Sequence, residues 1–455
     1  MSLGSLLSIA RSALMVSQRA MEVTGHNVAN ANTPGYSRQV LTVQAANPLH
    51  LPLYSVGRGV EAEQITRSRD SFYDATYRSD SGSLGRSNTM GGYLSQIEAT
   101  LNEPSSNGLS TSLDGMFGSL SDLASDPASH TNRQLVISAA NRVTTQLHSL
   151  STRLSQMKLE TSNNMRVQVG EVNGIAAKIA QLNQSIIATA GPGGPSSDLM
   201  DQRDALIDQL SNYMGVRTLT NADGSLSVAA GEVVLVSGSQ SVALAVVSVG
   251  SGLGIAPAAG GAAIDPLDGS LKALQDLTQN KLPAVQNSLD QLAASLVTEF
   301  NNVHRAGFTL SGATAVDFFD PTKTTASTID LSAALKASSD NIAASANGAQ
   351  GNGSVVSQLA AFATTGVASL GGNTFREHFV TLAAGVGLDV SNTMKDVDAQ
   401  QALVDRADQA RTSVSGVNVD EEMVSLITQQ QAYQAAARIV TVADQMVQQL
   451  LQLLN

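Results

Sequence analysis

Leu426, Tyr433, Val440, Val447 and Leu454 recur every seven residues near the end of the chain, and Ala436, Ala443 and Leu450 fill the intermediate positions. Gln429 is the single polar occupant of this series. Such spacing predicts a long helix with a coiled-coil-like seam. Asn418 and Glu421 stand at capping-box spacing before it, and Asp420, Glu421 and Glu422 fall in its first turn, where the helix dipole favours negative charge. The opposite end carries a matching pattern: Leu3, Leu7, Ala10, Leu14, Ser17, Met21 and Val28 alternate by four and three, with only Thr24 breaking the series. That helix should stop before Thr33-Pro34-Gly35-Tyr36, where Pro presets φ for the first central turn position and Gly permits φ > 0 at the second.

Between these ends the pattern changes several times. An extended stretch with Pro48, Pro52, Gly57 and Gly59 leads to a polar helical run expected over residues 65–77. Residues 93–190 read as mostly helix, with a seam at Leu147, Leu150, Leu154 and Met157 and weak points at Asn163-Asn164 and around Gly170 and Gly174. About 60 residues of uninterrupted helix would reach ~90 Å. Residues 191–195, a Gly/Pro run, break this rod, and a second helix follows over 197–214. From 216 to about 263 the runs become short and β-branched, with Ala222-Asp223-Gly224-Ser225 as a hairpin turn signal. Helix returns over 271–303, a Gly/Ser/Thr-rich loop region extends to about 345, and helical patterns run from 355 onward.

The predicted class is therefore mainly α: elongated, with long helices, terminal coiled-coil-like helices and a small β-rich outer insertion. The ends carry the most regular heptads, so they should pair while the middle projects outward. Residues 1–80 with 413–455 form the expected terminal assembly domain. Residues 81–214, 269–307 and 346–412 form a long-helix rod domain. Residues 215–268 form a small β domain, and 308–345 an irregular outer segment.

Composition narrows the function. Aromatics are 4% of 455 residues, with no Trp, so narrow Ala/Leu/Val seams are expected in place of one large globular core. A net charge of -12 has the wrong sign for nucleic acid or an anionic membrane surface. No apolar stretch approaches the ~20 residues of a membrane helix, so no membrane insertion is expected. The absence of cysteine excludes a thiolate metal site and a Cys nucleophile. Arg11 is the first positive charge and Ser2, Ser5 and Ser8 interrupt the apolar residues, unlike a cleaved signal peptide.

Candidate chemistry is sparse. His26, His50, His130, His148, His304 and His378 make no HExxH and no i,i+4 pair, and neither a Walker A sequence nor a G-x-S-x-G elbow occurs. Asp223-Gly224 and Asp268-Gly269 lack the alternating acidic ligands of a Ca²⁺ loop. The acidic cluster at 420–422 is explained by the helix dipole and needs no metal. Neither catalytic residues nor a cofactor or metal site is expected.

Residues 25–39 read GHNVANANTPGYSRQ. This closely resembles the N-terminal signature of the bacterial flagellar rod, hook and hook-associated axial proteins. Its motif positions are Asn27, Asn30, Asn32, Thr33, Pro34, Gly35, Tyr36 and Ser37. Residues 415–446, SGVNVDEEMVSLITQQQAYQAAARIVTVADQM, are similar to the partner signature at the other end of those proteins. DLMDQRDALIDQLS (198–211), LDQLAASLVTEFNNVHRAGF (289–308) and DFFD (317–320) look like the hook–filament junction members of that group.

The resemblance implies a structural subunit, exported through the flagellum's own type III apparatus by an uncleaved N-terminus and assembled extracellularly. Implied partners are copies of itself, the hook protein, a second junction protein on the filament side, and a cytoplasmic export chaperone covering the C-terminal helix. Distal rod or hook subunits are close rivals. A flagellum-associated cell-wall hydrolase is a remoter one, which the acid-poor β insertion does not support. The outer portion, at 237–268 and 321–371, resembles the family weakly and looks reduced.

Overall fold

The computed structural model describes residues 3–51, 54–101, 103, 105–190, 196–250 and 252–453. The Gly/Pro break at 191–195, Pro52, Leu454 and the side chain of Leu450 lie outside the described set.

The chain opens with α1 (Leu3–Asn30), and a β ribbon follows: β1 (Gln39–Ala45), β2 (Leu49–Leu51), β3 (Tyr54–Val56) and β4 (Val60–Arg67). β1 pairs antiparallel with β4, and β2 with β3. Ile65 to Arg67 thus belong to a strand, and the helix expected from 65 begins at Ser71 as α2 (Ser71–Leu101). The β-branched alternation at Ile65-Thr66 and the pairing of Gln39 with Arg67 outweigh the weak helical pattern there. Next come α3 (Leu109–Ser125), α4 (His130–Thr189) and α5 (Ser197–Tyr213). α4 is 60 residues long and passes unbroken through both expected weak points. Its seam packs against neighbouring helices along most of its length, which outweighs the local cost of two glycines.

A four-stranded antiparallel meander in sequential order follows, β5 (Val216–Thr220), β6 (Leu226–Ala230), β7 (Val233–Ser237) and β8 (Gln240–Ser241). A separate hairpin is made by β9 (Leu244–Val249) and β10 (Gly252–Pro257). Two asparagines on α4, the buried Asn183 and the half-buried Asn173, pin these strands to the rod. Asn183 donates to Leu226 O and Gly238 O, both at 2.8 Å, and accepts from Leu226 N at 3.1 Å. Asn173 exchanges both bonds with the backbone of Leu244, at 2.8 and 2.7 Å. The chain returns through Gly269, whose φ of +85° brings it against Tyr213 so closely that a Cβ would lie 2.3 Å from a backbone carbon.

The return path is α6 (Ser270–Asp276), a π-helical turn at Leu277–Lys281, and α7 (Leu282–His304). A mostly irregular segment then holds α8 (Ala333–Ala337) and leads to α9 (Ser354–Ala361), α10 (Phe375–Ser415) and α11 (Val419–Leu453). α10 lies along α2, while α3 packs on α4 and α9.

One continuous apolar core runs from Leu94 to Val386, and it departs from the expectation of narrow aliphatic seams alone. The few aromatics are concentrated at one place: Phe300 is within 6.2 Å, centroid to centroid, of Phe117, Phe318, Phe319, Phe362 and Phe375. Asn301 fixes the Phe pair there by accepting from Phe318 N and Phe319 N at 2.8 and 2.9 Å. His304 is fully buried beside them. Its Nδ1 faces Val316 O at 2.6 Å and its Nε2 faces Ala343 N at 2.8 Å. A carbonyl can only accept and a backbone N–H can only donate, so Nδ1 carries the proton and Nε2 is the acceptor. Burial pushes its pKa down to about 4.

α1 and α11 pack along each other. They run antiparallel, since the C-terminal end of α1 meets the N-terminal end of α11 at Asn27 and Glu422. Ala10, Ser17 and Thr24 on α1, and Ala436 and Ala443 on α11, are buried. Thr24 therefore continues the seam at heptad spacing instead of breaking it, because small side chains let the two backbones approach. Leu426, Val440 and Val447 are half-buried, and Tyr433 is 39% exposed on the flank. The reciprocal capping box at 418–421 does not form. Asn418 caps Asp420 N at 3.0 Å, but Glu421 reaches only the Asn418 side chain, at 3.5 Å. A complete box stands instead at the start of α10, between Thr374 and Glu377.

Candidate functional site: a clasp between the chain ends and the rod

The turn after α1 forms as the sequence requires. Tyr36 N donates to Thr33 O at 3.2 Å, and Gly35 takes the left-handed conformation at φ +80°. Asn30 donates to His26 O, and Thr33 Oγ1 donates to Asn30 Oδ1. Asn32, Thr33, Pro34 and Gly35 face solvent.

Asn27 is buried, with all its side-chain polar capacity used. Its amide nitrogen donates to Gln39 O at 2.9 Å and to Glu422 Oε2 at 3.0 Å. Its oxygen accepts from Gln39 N at 2.9 Å and from the Tyr36 hydroxyl at 2.8 Å. Burial, and then the carboxylates of Asp198, Asp201 and Glu422, push the Tyr36 hydroxyl above its usual range, so it remains a donor. Glu422 is 2% exposed and also accepts from Arg38 Nε at 2.7 Å. The helix dipole therefore accounts for only part of the acidic cluster. Glu422 is an acceptor for two N-terminal side chains, whereas Asp420 and Glu421 stay exposed.

Ser37 and Gln39 carry the clasp across to α5. Asp201 accepts from Ser37 N at 3.0 Å and from Ser37 Oγ at 2.8 Å, and Asp198 accepts from Gln39 Nε2 at 2.9 Å. Arg38 N bonds Ser415 O at 2.9 Å, and Ser68 Oγ bonds Val414 O at 2.9 Å, tying the ribbon to the turn between α10 and α11.

Below this lies an arginine–aspartate hub. Arg67 Nη1 sits 2.7 Å from Asp201 and 2.8 Å from Asp204, and Arg69 Nη1 is 3.1 Å from Asp204. Arg69 is also paired with Asp74, Arg78 with Asp208, and Arg411 with Asp208 while stacking on Tyr77 at 3.9 Å. Burial alone would raise the Asp204 pKa, but Arg69, Arg67, Arg203 and Arg78 outweigh it and hold the carboxyl below its usual range. Each of these charges is answered by another, so the hub fixes the relative positions of β4, α2, α5 and α10 more than it adds net stability.

Sequence reading singled out the turn and Asn27 but not the hub. A signal was present: Asp198, Asp201, Asp204 and Asp208 follow helical spacing on one face of α5, and Arg67 and Arg69 alternate at the end of β4. Among the described residues no group of three or more His, Asp and Glu side chains is placed to hold a metal ion, and no helix is long and apolar enough to cross a membrane.

Three family descriptions match in chain order. Residues 7–36 match "Flagella basal body rod protein". Residues 94–319 match "Flagellar hook-associated protein FlgK helical domain". Residues 408–453 match "Flagellar basal body rod FlgEFG protein C-terminal". Flagellar hook-associated protein 1 of Bacillus subtilis is 29% identical across 97% of this chain and 96% of its own length. The chain belongs to the flagellar hook-associated protein 1 family.

Hook-associated protein 1 of Salmonella typhimurium is also 29% identical, over 70% of this chain but only 59% of its own length. The match therefore omits a large part of the longer relative. The solved flagellar hook junction protein FlgK from Burkholderia pseudomallei superposes with a TM-score of 0.66 over 75% of this chain and 100% of that one. At 16% identity that likeness speaks to the fold alone.

Proposed function

We propose that the chain is a structural subunit of the zone joining flagellar hook to filament, acting there as a mechanical adaptor and carrying no catalysis of its own. One observation supports this reading most directly. α1 and α11 pair and are clasped to the rod, yet the outward side of α11 keeps Val424, Ile427, Ile439, Val442 and Met446 at 40–65% exposure. An apolar face on a helix already packed on its other side suits a subunit whose neighbours cover it in a polymer. The terminal pair, residues 1–80 with 413–455, would build the assembly. The long helices would transmit load, and the β insertion with the 308–345 segment would face outward.

Further partners follow from the same reading: copies of this chain, the hook protein, and a second junction protein on the filament side. Export would use the flagellar type III route, with a cytoplasmic chaperone hiding the apolar α11 stripe before assembly. A version ending at Asp420 that binds such a chaperone as tightly as the full chain would remove α11 as its target. The function itself is tested by deleting the gene and examining cells by electron microscopy. Complete hooks without filaments are expected, whereas missing hooks would point to a rod or hook subunit.

A further inference from the structure

Two buried guanidinium nitrogens in the hub have no hydrogen-bond acceptor, Arg78 Nη2 and Arg203 Nε. Their side chains are only 6% and 2% exposed. Both nitrogens lie 3.9 Å from the same atom, Asp204 Oδ1. That separation is too long for a direct bond and fits an oxygen placed about 2.8 Å from the nitrogen and from Asp204 Oδ1 in each pair. The other Asp204 oxygen is already engaged by Arg67 and Arg69.

We propose that Arg78 Nη2, Arg203 Nε and Asp204 Oδ1 form a binding site for a single structural water molecule. The donor set selects the ligand. Two N–H groups need an acceptor and one carboxylate oxygen needs a donor, and water supplies both with three hydrogen bonds. A halide would meet the carboxylate, and a metal cation would meet two guanidiniums. With Asp408 on Arg411 included, Arg67, Arg69, Arg78, Arg203 and Arg411 face Asp74, Asp201, Asp204, Asp208 and Asp408, so a neutral occupant leaves the hub uncharged.

The site links two parts of the molecule. Arg203 Nη1 donates to Asn183 Oδ1 at 3.2 Å and to Gly224 O at 3.1 Å, beneath the β5–β6 turn. The water extends that chain from the outer hairpin through Arg203 to the carboxylate that holds Arg67 and Arg69. Burial lowers the Arg203 pKa to about 10, consistent with a guanidinium short of partners inside the protein alone.

The full-length chain, crystallised with sodium bromide, tests this. Ordered density for one oxygen within hydrogen-bond distance of all three atoms, without anomalous bromide signal, is expected. In solution, the Arg203 Nε–H resonance of arginine-labelled protein should cross-relax with a long-lived water. Direct contact between Arg203 Nε and Asp204 Oδ1 with nothing between them would overturn the proposal. So would a bromide peak at the site, or an Arg203 Nε–H with no long-lived water neighbour.

Discussion

Asn27 and Glu422, 395 residues apart in the chain, meet through a 3.0 Å hydrogen bond between two buried side chains. The clasp makes the folding of one chain end depend on the other. Replacing Glu422 with Ala strands one amide hydrogen of Asn27 and frees Arg38. The cost should be roughly 1–3 kcal/mol in urea unfolding, the usual range for a buried group losing its partner. Glu422→Gln, which keeps an acceptor, should lose less. Hydrogen exchange at residues 37–39 should rise in the Ala variant, and unchanged exchange there would mean that the clasp does not order the ribbon.

Adjacent residues on α11 separate folding from assembly. Ala443 is fully buried against α1, while Val442 is 45% exposed on the other side. Ala443→Asp places a charge in the helix pair and should destabilise the monomer by several kcal/mol. Val442→Asp should leave monomer stability within about 0.5 kcal/mol and yet abolish filament-bearing hooks in cells. A Val442→Asp strain that swims normally would show that this face stays bare in the flagellum. Gln448 is a poor control for such work, because it donates to Asp444 at 3.2 Å and an acid there would meet a like charge.

His304 gives the fold an acid limit. Its pKa is about 4 in the folded state, against an ordinary value of 6.5. The folded state therefore requires the neutral ring, and the stabilisation is complete above pH 6.5. It is lost progressively as pH falls from 6.5 toward 4, by an amount on the order of 3 kcal/mol. Asp317 favours the proton and Arg133 opposes it, each less than burial does. Unfolding free energies for wild type and His304→Gln should converge as pH drops through that window. Parallel curves would place the acid sensitivity elsewhere.

The hub predicts a contrast between two aspartates. Asp204 is buried and neutralises Arg67 and Arg69, so Asp204→Asn should cost roughly 3–5 kcal/mol by leaving guanidiniums uncompensated. Asp408 pairs with Arg411 but is 50% exposed, and Asp408→Asn should cost ~0–1 kcal/mol. Urea midpoints for the two variants decide the matter, and equal losses would remove the distinction between hub and rim.

The sequence by itself determined most of the secondary structure, because local rules govern it. Heptads gave the terminal helices, Thr33-Pro34-Gly35-Tyr36 gave a turn closed by one backbone bond, and Ala222 to Ser225 gave the first hairpin of the meander. The family motif was legible for a related reason, being a contiguous string. Tertiary structure decided what each polar residue is for. Glu422 reads as a helix-dipole acid until Asn27 and Arg38 arrive from the far end of the chain. Thr24 reads as a break until α11 presents alanines that need a small neighbour. His304 and Asn301 read as unremarkable polar residues until the Phe cluster buries them and the backbone at 316–319 and at Ala343 supplies their partners. Spacing along one helix says which residues share a face. Only the assembled fold says which charge, carbonyl or ring stands opposite, and at these positions that opposite group sets both the energy and the role.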